Sequence, residues 1–213
     1  MILIVSGGEP PLKENLKRLS RHAELVLAAD IGAKYCLDAG VAPDVVIGDM
    51  DSLPLDLADR LGTGGMKVIS YPRDKDETDT LLALDYAMAR GASEIIILSG
   101  LGDRFDHSIA NLHLLYRALK KGVRASILTS MHNIFLVDSE YYINGKKGKV
   151  VSFLPLTEKV EGIDLVGFKY DVRSATMEIG FPYGVSNVIL EDSASVKVRK
   201  GVLVAVLSVI EDS

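Results

Sequence analysis

Two runs of carboxylates stand out in the chain. Asp49 and Asp51 follow the apolar run Val45-Val46-Ile47, and Asp74, Asp76, Glu77 and Asp79 gather just ahead of an apolar-periodic segment that starts near Leu81. Each cluster falls at the carboxyl end of an expected strand, which is where open α/β sheets bind their ligands. Like charges crowded together need a positive partner. A hard divalent cation with oxygen ligands, Mg2+ shared with a phosphate substrate, meets that need. The competing reading is an ordinary loop, since Asp, Gly and Ser are common turn residues. Gly48 ahead of Asp49 permits a tight turn or the close approach of a ligand.

A third constellation spans residues 100–107, GLGDRFDH. Asp106 and His107 open an expected helix, with Asp106 as a candidate cap. Arg104 sits in the preceding glycine-containing loop, where a guanidinium beside a helix amino terminus suits a phosphate. Carboxylates for metal, arginine for phosphate and glycines for backbone approach are parts that phosphoryl-transfer sites reuse. A surface salt bridge from Arg104 to Asp103 or Asp106, and a plain helix-start role for His107, are the alternatives. The chain has no P-loop motif and no kinase HRD or DFG signature. His22, His113 and His132 show no zinc-ligand spacing.

Alternating elements must carry these groups. Strands are expected at residues 2–5, 25–29, 45–47, 67–70, 95–98 and 124–129, and helices near Leu12, Leu16 and Leu19 and at 32–39, 78–90 and 106–120. This order means βα units and a mostly parallel sheet. Near Ser130 the period changes to strands alone, at residues 134–137, 141–143, 149–154, 167–170, 175–179, 188–190, 195–198 and 202–209, with Asn144-Gly145 as a strong turn signal. The expected fold is therefore an amino-terminal, mostly parallel α/β sandwich followed by a smaller carboxy-terminal all-β sandwich. The boundary is placed so that residues 1–132 form the nucleotide- and metal-binding catalytic domain and 133–213 the β domain.

Composition narrows the class. The chain has 213 residues, 48% hydrophobic and 25% charged, with a formal net charge of −5. That balance fits a folded protein and makes nucleic acid and anionic membranes poor partners. Apolar runs stay short of a membrane span, and the amino terminus lacks signal-peptide features. A cytoplasmic protein is expected. Cys36 is the single cysteine and reads as a small buried apolar side chain.

The ordered set ADIGAK (29–34), PDVVIGDMDS (43–52), DKDETD (74–79), GDRFDHSIAN (102–111) and GVSN (184–187) resembles the thiamine pyrophosphokinase family over essentially the whole chain. The resemblance implies a homodimer that transfers the β,γ-pyrophosphoryl group of ATP to the hydroxyl of thiamine and releases AMP. It implies Asp49, Asp51 and Asp79 as metal and catalytic carboxylates, with Asp30 beside them. It places Arg104, Asp106, His107 and Asn111 on the nucleotide side. Ser186 and Asn187 would line the thiamine pocket at a domain and subunit junction. Lys75 is a further candidate for holding non-bridging phosphate oxygens.

Two departures from the family pattern bear on the site. Ile31 stands where the family loop usually has the first glycine of ADGGA, and a β-branched residue does not comfortably take φ > 0. The chain also lacks tryptophan. Some relatives stack one on the thiamine ring from the last strand pair, where this chain has Val202-Leu203-Val204. Tyr170, Phe181 and Tyr183 are the candidates to replace it. That departure keeps open another hydroxymethyl heterocycle, such as a pterin, as acceptor. A nucleotide-binding regulatory protein without turnover is the non-enzymatic alternative, and the crowded acidic set argues against it.

Overall fold

The computed structural model describes residues 1–49 and 66–209. Asp51 lies outside the described residues. The chain divides into two compact units, Met1–Ser130 and Met131–Ser213.

In the first unit the strands are β1 (Ile2–Val5), β2 (Leu25–Ala29), β3 (Val45–Gly48), β4 (Lys67–Ser70), β5 (Glu94–Leu98) and β6 (Arg124–Leu128). Their order is β6-β5-β1-β2-β3-β4, and the neighbouring pairs are parallel. The chain first builds outward from β1 to β4, then returns to lay β5 on the other side of β1. Among the described residues the helices are α1 (Lys13–Ser20), α2 (Gly32–Asp38), α3 (Asp79–Ala89) and α4 (Phe105–Lys120). Leu3, Val5, Val26, Ala28 and Val46 cluster with Leu16, Leu19 and Cys36 from α1 and α2. The alternate residues Ile4, Leu27, Ile47, Ile95 and Ile97 are buried too, as are Leu84 on α3 and Leu115 on α4. A sheet apolar on both faces explains why its central strands read as continuous runs rather than as alternation.

The second unit is a sandwich of two antiparallel sheets. One contains β7 (His132–Val137), β14 (Leu203–Ser208), β9 (Val150–Pro155) and β12 (Asn187–Val188) in that order; the other runs β8 (Glu140–Asn144), β13 (Ser193–Lys197), β10 (Lys159–Val166), β11 (Val172–Glu178). Phe135, Phe153, Leu203 and Leu207 from one sheet bury against Ile143, Val160, Leu165 and Val196 from the other. Phe153 and Phe168 meet edge to face at 5.6 Å.

Two expectations for this unit fail locally. The 167–170 strand is a turn that keeps one isolated bridge, Phe168 to Ile189. The strand β10 is absent from the expected set, and its sequence shows why. Val160, Ile163 and Leu165 are buried, but the spacing slips at Gly162, where φ is +68° and the register with β11 shifts. A bulge breaks the period of two on which strand reading depends. Asn144-Gly145 does turn the chain, with Gly145 at φ +64°. It forms no hairpin, because β8 and β9 belong to different sheets.

Candidate active site

The return of the chain from β4 to β5 creates a switch point beside β1, where loops from neighbouring strands diverge and leave a crevice. A cleft of about 900 Å³ opens there, lined by residues from the ends of β1, β2, β3 and β5 and the starts of α2, α3 and α4. Its wall includes Asp30, Asp49, Lys75, Asp76, Glu77, Asp79, Arg104, His107 and Asn111. Three separate sequence motifs thus meet in one place.

One wall is main chain. Gly8 N donates to Ser99 O (2.7 Å) and Glu9 N to Leu101 O (2.7 Å), zipping the loop after β1 to the loop after β5. A Cβ on Gly8 would stand 2.1 Å from Leu101 O, and one on Gly102 would stand 3.0 Å from Gly8 Cα. Only glycine permits this approach. Asn111, buried on α4, donates from Nδ2 to Gly100 O (2.7 Å) and pins the second loop from behind. Ser108 Oγ accepts from Gly102 N (3.2 Å).

The opposite wall carries the charge. Parallel pairing of Ala29 with Ile47 brings the residues just past the ends of both strands, Asp30 and Asp49, out at the same end of the sheet. Asp30 N donates to Ile47 O (2.9 Å). The family-pattern departure at Ile31 resolves here without strain: Ile31 takes φ −55°, and Asp30 takes the left-handed turn at φ +49°. Asp tolerates that region better than a β-branched residue does. A side chain added at Gly48 would come within 3.4 Å of Asp79 Cγ, so the start of α3 abuts the end of β3. Thr78 caps α3, its Oγ1 accepting from Leu81 N (3.2 Å), which fixes Asp79 in the first turn. The buried hydroxyls of Ser6 and Thr80, 2.6 Å apart, tie this helix to β1.

Arg104 is the residue just before α4, and its side chain makes no cap. Asp106 does not cap the helix either. It lies inside the first turn and accepts from Arg104 at 2.6 Å (Nη2 to Oδ2) and 3.3 Å (Nε to Oδ1). The guanidinium holds the Asp106 carboxyl below the usual carboxylate range. This is the alternative weighed from sequence, yet it leaves Arg104 lining the cleft. Lys75 Nζ lies 3.0 Å from Asp79 Oδ1.

The donor set suits a divalent cation in kind: hard carboxylate oxygens at strand ends, with Asp79 Oδ1 buried and receiving no hydrogen bond. Among the described residues, no group of three or more His, Cys, Asp or Glu side chains is close enough to hold a metal. Ser186 and Asn187 belong to the second unit. Ser186 is exposed, at φ +58°, with its N–H donated to Ser152 Oγ (3.0 Å). Asn187 is 5% exposed, and its amide is engaged internally: Oδ1 accepts from Tyr170 N (3.0 Å) and Val188 N (2.9 Å), and Nδ2 donates to Tyr170 O (3.0 Å). Asn187 therefore holds backbone rather than reaching outward. Val202, Leu203 and Val204 are all buried, so no stacking surface exists there. Phe181 and Tyr183 are exposed and stacked, centroids 5.9 Å apart and planes 13° from parallel.

Sequence reasoning missed Tyr35, Arg73, Thr80 and Ser108 as cleft residues. Ser108 lies within the GDRFDHS motif and was legible there. The Ser6–Thr80 contact joins residues 74 apart and has no local signal.

A parallel α/β unit with a switch-point cleft, carboxylates on one wall and glycines on the other, followed by an antiparallel β unit, is an architecture suited to a phosphoryl-transferring enzyme. Residues 16–127 match the family described as thiamin pyrophosphokinase, catalytic domain, and residues 133–203 the thiamin pyrophosphokinase, vitamin B1 binding domain. The thiamine pyrophosphokinase of Bacillus subtilis is 30% identical over 209 residues, covering 97% of this chain and 98% of the relative. Its crystal structure superposes with a TM-score of 0.87 at 27% identity, over 97% of this chain and 98% of the other. The thiamin pyrophosphokinase from Geobacillus thermodenitrificans superposes with a TM-score of 0.85 at 27% identity, covering 100% and 99% of the two chains. The chain belongs to the thiamine pyrophosphokinase family. Among the described residues, no helix is long and apolar enough to cross a membrane.

Proposed function

We infer that the protein transfers the pyrophosphoryl group of ATP to the hydroxyl of thiamine, giving thiamine diphosphate and AMP. The observation that carries this reading is the cleft itself, where Asp30, Asp49, Asp79, Lys75, Arg104 and His107 converge on a glycine-lined wall. The thiamine hydroxyl oxygen attacks the β-phosphorus, the bond from that phosphorus to the α–β bridging oxygen breaks, and AMP leaves with the electron pair. Asp49, Asp51 and Asp79 are the residues that would hold Mg2+. When bound, Mg2+ supplies charge neutralisation to the phosphate oxygens.

The remaining work falls to the chain. Asp79, fixed by the Thr78 cap, receives the hydroxyl proton as the new bond forms. Positioning and electrostatics contribute more than this proton transfer does. Arg104 and Lys75 take non-bridging oxygens, and His107 lines the nucleotide side. In the glycine wall, Gly8 N and Glu9 N serve carbonyls of the facing loop and Gly102 N serves Ser108 Oγ, so these three groups contribute shape. Asn111 and Asp106 position: one holds the Gly100 carbonyl, the other orients Arg104. In the second unit the Ser186 segment recognises thiamine, and the exposed Phe181–Tyr183 stack supplies the aromatic surface that tryptophan provides in some relatives. The working form is a homodimer.

The test is AMP release from ATP and Mg2+ with thiamine, and then a hydroxymethyl pterin, as acceptor, with the product weighed by mass spectrometry. Thiamine-dependent AMP and a product two phosphates heavier are expected. AMP with the pterin alone would overturn the acceptor. No AMP with either would overturn the reaction.

A further inference from the structure

Lys75 lies in the loop before α3 and folds back onto the start of that helix. Its Nζ is 3.0 Å from Asp79 Oδ1 and 3.3 Å from Pro72 O. The pair is well covered, with side chains only 12% and 22% exposed, whereas Arg104 and Asp106 are 70% and 65% exposed. Water therefore screens the Lys75 contact far less.

The direction of the pair is informative. Asp79 in the first turn complements the positive end of the α3 dipole, but an ammonium brought to that same end is repelled by it. What retains Lys75 is the charge on Asp79, whose Oδ1 receives no hydrogen bond. An oxygen held only by charge is open to exchange with a stronger cation of the same kind of contact.

We propose that Lys75 is a displaceable counter-ion for Asp79, a positioning residue that competes with the divalent cation. This rests on the pyrophosphoryl-transfer reading above. With Lys75 in place, the covered Asp79 carboxylate has a counter-charge 3.0 Å away instead of being left uncompensated. When the nucleotide is loaded with its cation, Lys75 yields Asp79 Oδ1 and carries its ammonium to phosphate oxygens. Its flexible four-carbon stem allows this swing without backbone movement, whereas arginine's planar fork would grip the carboxylate through two bonds. The same residue thereby serves both states of the cleft.

The probe is Mn2+ alone, titrated without nucleotide into the full-length protein and followed by electron paramagnetic resonance. Lys75→Met is expected to bind Mn2+ roughly three- to tenfold more tightly than wild type. Lys75→Arg should bind more weakly, and Asp79→Asn should bind more weakly still. Equal or weaker Mn2+ binding by folded Lys75→Met overturns the proposal. Should circular dichroism show that Lys75→Met is unfolded, Lys75→Arg decides, and unchanged or tighter binding there overturns it. Absence of Mn2+ binding to wild type removes the cation reading and the proposal together. Thiamine-dependent AMP formation is measured on the same samples; its absence alongside the expected Mn2+ order would sink the reaction reading alone.

Discussion

Asp79 combines three roles that are usually separate: first-turn partner of a helix dipole, ion-pair partner of Lys75, and carboxylate in the cleft. Replacing it by asparagine keeps the shape and removes the charge. Asp79→Asn is expected to lower kcat by roughly 10²- to 10⁴-fold while leaving the far-ultraviolet circular dichroism unchanged. Near-wild-type turnover in the folded variant would take Asp79 out of the mechanism. Arg104→Ala should raise KM for ATP by about tenfold and leave KM for thiamine alone. Unchanged ATP kinetics would reduce Arg104 to its salt bridge with Asp106. At this scale the motif residues were legible because chemistry restricts their types: carboxylate for cation, guanidinium for phosphate. Asn187 was named only through the family resemblance, and its amide is engaged with the Tyr170 and Val188 backbone. Sequence cannot tell an amide facing a ligand from one facing its own chain.

Among the elements, the parallel strands and their helices were legible almost to the residue, since β-branched runs and three-to-four spacing leave little choice. β10 was not, because a glycine bulge hides its alternation. Close packing between elements was equally invisible. Gly32, the first residue of α2, has no room for a side chain: a Cβ would lie 2.0 Å from Val5 O at the end of β1. Gly32→Ala should therefore cost about 1–3 kcal/mol through overpacking. A lowered midpoint in thermal unfolding would register it, and an unchanged midpoint would contradict the packing of α2 against β1. Thr78→Ala should cost about 1 kcal/mol through loss of the α3 cap. Its larger effect should fall on turnover, because the cap fixes Asp79, and parallel melts and AMP assays separate the two.

The whole molecule is two compact units with separate cores. The sequence announced that division by a change of period near Ser130, a coarse signal that survives local errors in individual strands. Cys36, the chain's single cysteine, is buried in the first core, and burial pushes its thiol up to about 12. The thiolate is the reactive form, so Cys36 in the folded protein should resist alkylation at pH 8. Labelling measured against denaturant concentration should then follow opening of the first unit specifically, while tyrosine fluorescence also samples the second. Rapid labelling without denaturant would show that α2 does not seal the thiol from water.

The glycine wall has a bearing on how this cleft can diversify. Its surface is backbone, pinned by Gly8, Gly102 and the Asn111 amide, and exchanging one side chain for another cannot reshape it without forcing the two loops apart. Ile31 and Tyr35 brace it from α2: the Tyr35 hydroxyl donates to Gly8 O (2.9 Å), and a Cβ on Gly7 would stand 2.9 Å from Ile31 Cγ2. An engineer reshaping the cleft would leave the glycines and these two braces alone and vary exposed side chains of its charged wall, such as Asp76 and Glu77.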